Sequence, residues 1–325
     1  MKKFLKFALA ALGVVIVIFF LLIFYVLYFL PRVPVENIKV EITPERIERG
    51  KYLAENVAQC IDCHSTRDWS KFSGPAVPGT EGKGGEAFDR KFGFPGAYYA
   101  PNITPFHLKD WSDGEVYRAI TSGISKDGRA LFPIMPYPSF GKMDKEDIYS
   151  IIAYIRSLPS IENTTPESES DFPMNIIINT IPSESSLSPR PAPTDTLNYG
   201  KYLVNAASCA ECHTPANRGQ IIEDLMYSGG RYFEMPQGTV ISKNITPDKQ
   251  TGIGNWTRED FITRFKAFEN NAHYASDGLS TQDFNTIMPW ANYAKMTEED
   301  LGAIYAYLMS VKPISNKVEK VFIKK

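Results

Sequence analysis

The chain has 325 residues, 43% of them hydrophobic and 22% charged, with a formal net charge of −2. That length is too great for one small core and suits two domains with additions. The near-neutral balance carries no basic footprint, so no nucleic-acid partner is expected.

Lys2, Lys3 and Lys6 precede a run from Phe7 to Leu30 that has no charge over 24 residues. As a helix it would be roughly 36 Å long, enough to cross a hydrocarbon core of about 30 Å with some tilt. Pro31 stops it. A cleaved signal peptide is the competing reading, but its apolar region is about 7–15 residues and ends in small residues. Here the late part, FYVLYFLPR, is bulky throughout. Residues 1–35 therefore read as an uncleaved membrane anchor. Only Arg32 follows the span closely, so positive-inside asymmetry leaves the N-terminus in the cytoplasm and the rest on the periplasmic side.

Residues 36–160 read as a first, mostly helical domain. GKYLAENVAQCIDCH (Gly50–His64) looks like a first helix running into a cysteine motif. A glycine-rich loop follows at Pro78–Phe88, then NITP at Asn102–Pro105, Trp111 in DWSDGEVYRAI, and IMPYPSFGKM at Ile134–Met143. Asp144 then has the character of an N-cap with acidic residues behind it. Ile148, Ile151, Ile152 and Ile155 recur at helical spacing, and Pro159 closes that helix. Residues 161–196, rich in Ser, Pro, Thr and Glu, read as a linker. Its segment FPMNIIINTIP (Phe172–Pro182) is too apolar to stand in water and is expected to pack on one or both domains.

Residues 197–316 repeat the first domain in the same order, at an offset of about 150 residues. GKYLVNAASCAECH (Gly200–His213) matches the first helix and motif. NITP returns at Asn244–Pro247, Trp256 follows in NWTREDFITRF, and IMPWANYAKM stands at Ile287–Met296. Thr297 caps a last helix with Leu301, Ile304, Tyr305 and Leu308 at helical spacing, closed by Pro313. A polar tail, residues 317–325, ends the chain. The expected fold is mainly α: two tandem copies of one domain behind a transmembrane helix.

The four cysteines of the chain all lie in the two C-x-x-C-H motifs. Residues three apart share a helical face, so Cys60 and Cys63 point the same way, as do Cys209 and Cys212. His64 and His213 follow directly. Two thiols for addition across two vinyl groups, and one imidazole for iron, are what covalent haem attachment requires. A zinc site would normally hold its C-x-x-C pairs closer and leaves the histidines unexplained. A dithiol redox motif or a structural disulfide explains the duplication with histidine less well. Two covalently bound c-type haems are expected.

Of nine methionines, four recur between the halves: Met135 with Met288 and Met143 with Met296. Met135 and Met288 precede proline in loop context and are the expected second axial ligands, which would raise the reduction potential and favour electron transfer. Met143 and Met296 abut a helix start and are expected to pack as apolar filler. His107 and His273, the histidines outside the motifs, do not occupy equivalent positions and are weaker ligand candidates. Asn102, Trp111, Asn244 and Trp256 carry donors that suit a haem propionate; loop capping and packing explain them as well.

With these residues in view, the chain resembles the membrane-associated cytochrome c subunits of bacterial alcohol, gluconate and related sugar dehydrogenases. The resemblance rests on GKYL with CxxCH, on NITPDKQTGIGNWTREDF (Asn244–Phe261), on MPYPSFGKMDKEDIYSIIAYI (Met135–Ile155) and on FPMN in the linker. It implies class I cytochrome c domains with histidine and methionine ligands. It also implies electron transfer from a dehydrogenase subunit or quinol-linked donor to quinone or a terminal oxidase in a respiratory chain. Those subunits typically carry three such domains; two are present here. The reading is a membrane-anchored dihaem electron carrier without a substrate of its own. The alternative is a dihaem enzyme, a peroxidase or sulfur-compound dehydrogenase, with one labile haem ligand; the matched methionines speak against it.

Overall fold

The computed structural model describes residues 2–235, 238–269, 285–319 and 322–324. Helix α1 (Lys2–Phe29) contains an 18-residue window with a mean hydropathy of 3.2, and none of its residues is buried. By length and composition it can cross a membrane.

In the first domain Thr43 caps α2 (Pro44–Tyr52) by accepting from Arg46 N, with Pro44 pre-set at the first turn. The chain continues through a π turn, Leu53–Val57, into the short α3 (Cys60–Cys63). Next come α4 (Pro105–Leu108), α5 (Asp113–Ser122), α6 (Tyr137–Phe140) and α7 (Lys145–Ser157). A capping box between Ser112 and Glu115 opens α5, and Asp144 caps α7 by accepting from Glu146 N. Strands β1 (Ala87–Phe88) and β2 (Gly96–Tyr99) pair antiparallel. The linker adds β3 (Glu169–Ser170) to the far edge of β2.

One side of the apolar linker segment packs on the first domain. Helix α8 (Met174–Ile177) and the 3-10 turn Ile178–Thr180 bury Ile178 with Tyr98 and Ala130, against Phe94 and Phe132.

The second domain repeats the pattern with α9 (Thr196–Ala206), α10 (Cys209–His213), α11 (Arg258–Lys266), α12 (Trp290–Tyr293) and α13 (Glu298–Ser310). Thr257 and Asp260 form a capping box on α11, and Thr297 caps α13. A small hairpin joins β4 (Ala216–Asn217) to β5 (Gln220–Ile221). Strands β6 (Tyr232–Met235) and β7 (Gly238–Ile241) form another, and β8 (Phe322–Lys324) pairs antiparallel with β7. The end of the chain, read above as a polar tail, thus has a structural role. β7 offers an open row of edge donors and acceptors, and a short backbone segment satisfies it whatever its side chains.

In each domain the first and last helices cross where glycine stands. A Cβ on Gly50 would lie 1.8 Å from the carbonyl oxygen of Ser150, and one on Gly200 2.0 Å from that of Ala303. The two domains share one continuous core, which includes Leu53, Val57 and Ile151 from the first and Leu203, Leu301 and Leu308 from the second. Met143 and Met296 are fully buried in it, as filler.

Polar contacts across the domains are reciprocal. Tyr202 donates to Asp147 Oδ2 (2.6 Å), and Tyr52 donates to Asp300 Oδ2 (2.6 Å). Each hydroxyl also accepts from the N-cap of the same helix, from Asp144 N and Thr297 N, both at 3.2 Å. Asn205 Nδ2 donates to Ser139 O, and Asn292 Nδ2 donates to Glu55 O. Asp147 is 1% exposed and also accepts from Arg49 Nε and Nη2 and from Arg190 Nη1 of the linker. Burial works to raise its pKa, but Arg49, Tyr202 and Arg190 together outweigh burial and hold it below the ordinary carboxylate value. Replacing Tyr202 or Tyr52 by Phe is expected to lower stability by about 1.5–3 kcal/mol, the range for a hydrogen bond to a charged group. Urea unfolding followed by circular dichroism checks this.

Candidate cofactor sites

The two motifs are presented alike although their lead-in helices differ in length. Gly50 to Cys60 is one residue longer than Gly200 to Cys209. The π turn absorbs that residue: Ala58 N donates to Leu53 O, five back, at 2.7 Å, whereas Ala207 N donates to Leu203 O, four back. Both helices then stop at a left-handed residue, Gln59 (φ 58°) and Ser208 (φ 53°), before turning into α3 and α10. The π turn therefore keeps the first motif in step with the second.

All four cysteines are unpaired and half-buried. Burial pushes the thiols of Cys60, Cys63 and Cys209 up to about 12 and that of Cys212 up to about 11, so they stand neutral. A reactive dithiol needs the opposite shift. Among the described residues no three His, Cys, Asp or Glu side chains gather as a metal cage.

Each motif histidine is clamped by a backbone carbonyl. His64 Nδ1 lies 2.7 Å from Pro101 O, and His213 Nδ1 lies 2.7 Å from Lys243 O. A carbonyl only accepts, so Nδ1 carries the proton in both, and Nε2 keeps its lone pair for a metal. Burial holds both imidazoles below their ordinary pKa and therefore neutral, against the opposing effect of those carbonyls. Gly84 N donates to His64 O and Gly229 N to His213 O, at 2.8 and 2.7 Å. Both glycines have positive φ. A Cβ there would lie 2.5 Å from Pro101 C or 2.3 Å from Lys243 C, so glycine alone lets these loops cross.

The clamping carbonyls belong to the residues just before Asn102 and Asn244. Asn102 Nδ2 donates to Ile161 O (2.8 Å) and Asn163 O (3.1 Å), while its Oδ1 accepts from Thr104 N and Oγ1. Asn244 Nδ2 donates to Ile314 O (2.8 Å) and Thr251 Oγ1 (2.9 Å), and its Oδ1 accepts from Thr246 N and Oγ1. Both donors of each amide are used, so of the two roles expected for Asn102 and Asn244 these amides serve loop capping: they close the loop that orients the histidine. The indoles of Trp111 and Trp256 make no protein hydrogen bond among the described residues, and Trp256 is 37% exposed. Their N–H groups remain available.

The methionine loops also match. Pro136 (φ −78°, ψ 53°) and Pro289 (φ −81°, ψ 64°) each centre an inverse γ-turn, in which Met135 O accepts from Tyr137 N and Met288 O from Trp290 N. Both methionines are half-buried against the core. The second loop is held by the first domain: Ser73 N donates to Asn285 Oδ1 (2.8 Å), and Ser73 Oγ donates to Met288 O and accepts from Trp290 N. His107 is exposed on α4 near Trp111, and His273 lies outside the described residues.

An acidic residue stands inside each motif, Asp62 buried and Glu211 half-buried. Asp62, raised to about 6 by burial, faces Arg67 at 3.3 Å, and Arg67 lies over the Trp69 ring, whose N–H donates to Glu86. Glu211 holds the matching place in the second motif. Burial raises its pKa as well, with the charge of Arg231 opposing, and Arg231 donates to its carbonyl oxygen. The acidic residues could be read from the motifs; the arginines come from loops that differ between the copies.

Two thiols on one turn and an imidazole with a free Nε2, twice over, fit a c-type haem in each domain. The cytochrome c family model matches residues 47–159 and 197–312. The chain is 27% identical to the cytochrome c subunit of alcohol dehydrogenase (quinone) from Gluconacetobacter polyoxogenes, over 82% of this chain and 56% of that protein. It is 25% identical to the gluconate 2-dehydrogenase cytochrome c subunit of Pantoea cypripedii, over 82% of this chain and 59% of that protein. It is 27% identical to a diheme cytochrome c-type protein of Cereibacter sphaeroides, over 78% of this chain and 82% of that protein. The chain thus spans little more than half the length of the two dehydrogenase subunits. Duplicated fold, duplicated motifs and family match agree: the chain belongs to the cytochrome c family and carries two covalently bound c-type haems.

Proposed function

We propose that the chain is a membrane-anchored dihaem electron carrier that works as the cytochrome subunit of a respiratory dehydrogenase, passing electrons toward quinone or a terminal oxidase. The observation that carries this reading is the repeated clamp, His64 to Pro101 and His213 to Lys243, beside two free thiols on one turn. A bound c-type haem supplies a one-electron iron couple. Cys60 with Cys63, and Cys209 with Cys212, would hold it through thioethers; His64 and His213 would offer Nε2 to its iron, and Met135 and Met288 would offer their thioether sulfurs. Methionine sulfur on that iron would set the potential high and leave no open position for a substrate. Trp111 and Trp256 offer indole donors to propionates. The haem domains, residues 36–160 and 197–316, stand on the periplasmic side of α1, with Lys2, Lys3 and Lys6 inside. The named relatives, subunits of alcohol and gluconate dehydrogenases, support a dehydrogenase as donor.

Purification in mild detergent tests the partnership: a dehydrogenase subunit is expected to co-purify and to reduce both haems when given its substrate. The weak sulfur-to-iron absorption band tests the ligands. Met135→Ala and Met288→Ala are each expected to remove about half of it, and an unchanged band in both variants would remove these methionines from the iron.

A further inference from the structure

We propose that the linker segment Phe172–Ile177 is a second membrane contact, seated in the outer face of the bilayer beside α1. This rests on α1 being a membrane span. The segment has two apolar sides. One is covered: Met174 and Ile178 pack with Tyr98 and Phe132 of the first domain. The other is bare, with Phe172 80% and Ile177 44% exposed.

Packing against α1 says what covers that bare side. Helix α8 and the turn after it both lie against α1. The half-buried positions within α1 are Ile23 and Val26, followed by Leu30 just beyond its end. Their spacing of three and four residues puts them on one face. Ile23 stands seven residues before the end of the uncharged run, roughly 10 Å along a helix. A run of roughly 36 Å overhangs a core of about 30 Å by only ~3 Å at each end. A neighbour packed along Ile23–Leu30 therefore sits at headgroup and upper acyl depth, where interfacial elements bury about 5–10 Å.

Two backbone carbonyls of the segment are satisfied by side chains that follow it, while the Asn175 side chain is exposed. Asn179 Nδ2 donates to Asn175 O (3.1 Å), and Thr180 Oγ1 donates to Ile177 O (2.8 Å), so carbonyls at the helix end are satisfied from within. Asp171, next to Phe172, is paired with Arg90. The result is a two-point attachment that lays the first domain against lipid.

The test uses the full chain, with its haems, in phosphatidylcholine nanodiscs. Native cysteines are held in thioethers, so Phe172→Cys and Ile177→Cys each offer one thiol for a nitroxide. Val17→Cys inside α1 and Asp224→Cys on the exposed surface of the second domain serve as references. Collision with oxygen, which enters lipid, is compared with collision with a water-soluble nickel chelate. At 172 and 177 the oxygen-to-nickel ratio is expected to be several-fold above that at 224 and to approach that at 17. Ratios at 172 and 177 equal to that at 224, with 17 still lipid-like, would overturn the second contact and leave the anchor. A water-like ratio at 17 would overturn the anchor and the contact with it. Shielding from both reagents would mean a protein surface covers the segment, and would also overturn the proposal.

Discussion

A chain carrying Cys60→Ala and Cys63→Ala is expected to leave a cell that attaches haem c with one haem in place of two. The thioethers are the only covalent hold the first domain has, because every cysteine of the chain lies in the two motifs. His64 alone would bind haem reversibly and lose it on denaturation. The second site has its own two cysteines and its own histidine clamp, with Lys243 O on His213 and the Asn244 amide closing the turn, so its haem is expected to stay. Mass spectrometry of the denatured variant should show the polypeptide plus one haem, and the haemochrome absorbance per chain should halve. The mirror variant, Cys209→Ala with Cys212→Ala, should keep the other haem. Two haems retained in either variant would break the assignment of these thiols. The haem-free first domain should also be less stable, since its motif turn packs against the core that both domains share.

The parts of this architecture visible in the sequence are those written in side-chain identity. C-x-x-C-H, NITP and IMP recur as words, and isoleucines at helical spacing announce α7. The parts that were hidden are written in backbone or in three dimensions. Pro101 and Lys243 act through carbonyl oxygens, which every residue has, so nothing in their side chains marks the clamp on His64 and His213. In one dimension Asn102 and Asn244 read equally as propionate donors or loop caps; folded, both N–H groups of each amide close the loop that carries that carbonyl. The one-residue difference between the lead-in helices is legible as a count, but only the π turn at Leu53–Val57 shows how the motif stays in step. Tyr52 and Tyr202 stand at the same place in GKYL, and a one-dimensional reading assigns each to its own domain. Folded, each hydroxyl crosses to the aspartate of the other. β8 was hidden for the same reason, since an edge strand is recruited by backbone and its sequence need only be extended.

Gly50→Ala is expected to destabilise the protein by about 3 kcal/mol, against the sign that helix propensity alone would give. In an ordinary helix, alanine in place of glycine gains about 1 kcal/mol. Here the added carbon would stand 1.8 Å from Ser150 O, 2.4 Å from Ser150 C and 2.8 Å from Tyr154 Cβ. No real methyl sits that close, so α2 must move away from α7. Helix α7 cannot yield in its place, because Ile148, Ile151 and Ile152 fix it in the shared core. Displacing α2 also disturbs what it carries: Arg49 on Asp147, Tyr52 on Asp300, and the π turn that leads to Cys60. Gly200→Ala meets Ala303 O at 2.0 Å and should behave alike, through α9 and α13. Denaturant unfolding followed by the haem band gives the magnitude. A Gly50→Ala chain as stable as the parent would show that the two helices do not touch at this glycine. Because Tyr52 rides on the displaced helix, Tyr52→Phe should cost less in the Gly50→Ala background than in the parent. That shortfall, read from a double-mutant cycle, separates a helix pushed out of place from a clash relieved locally.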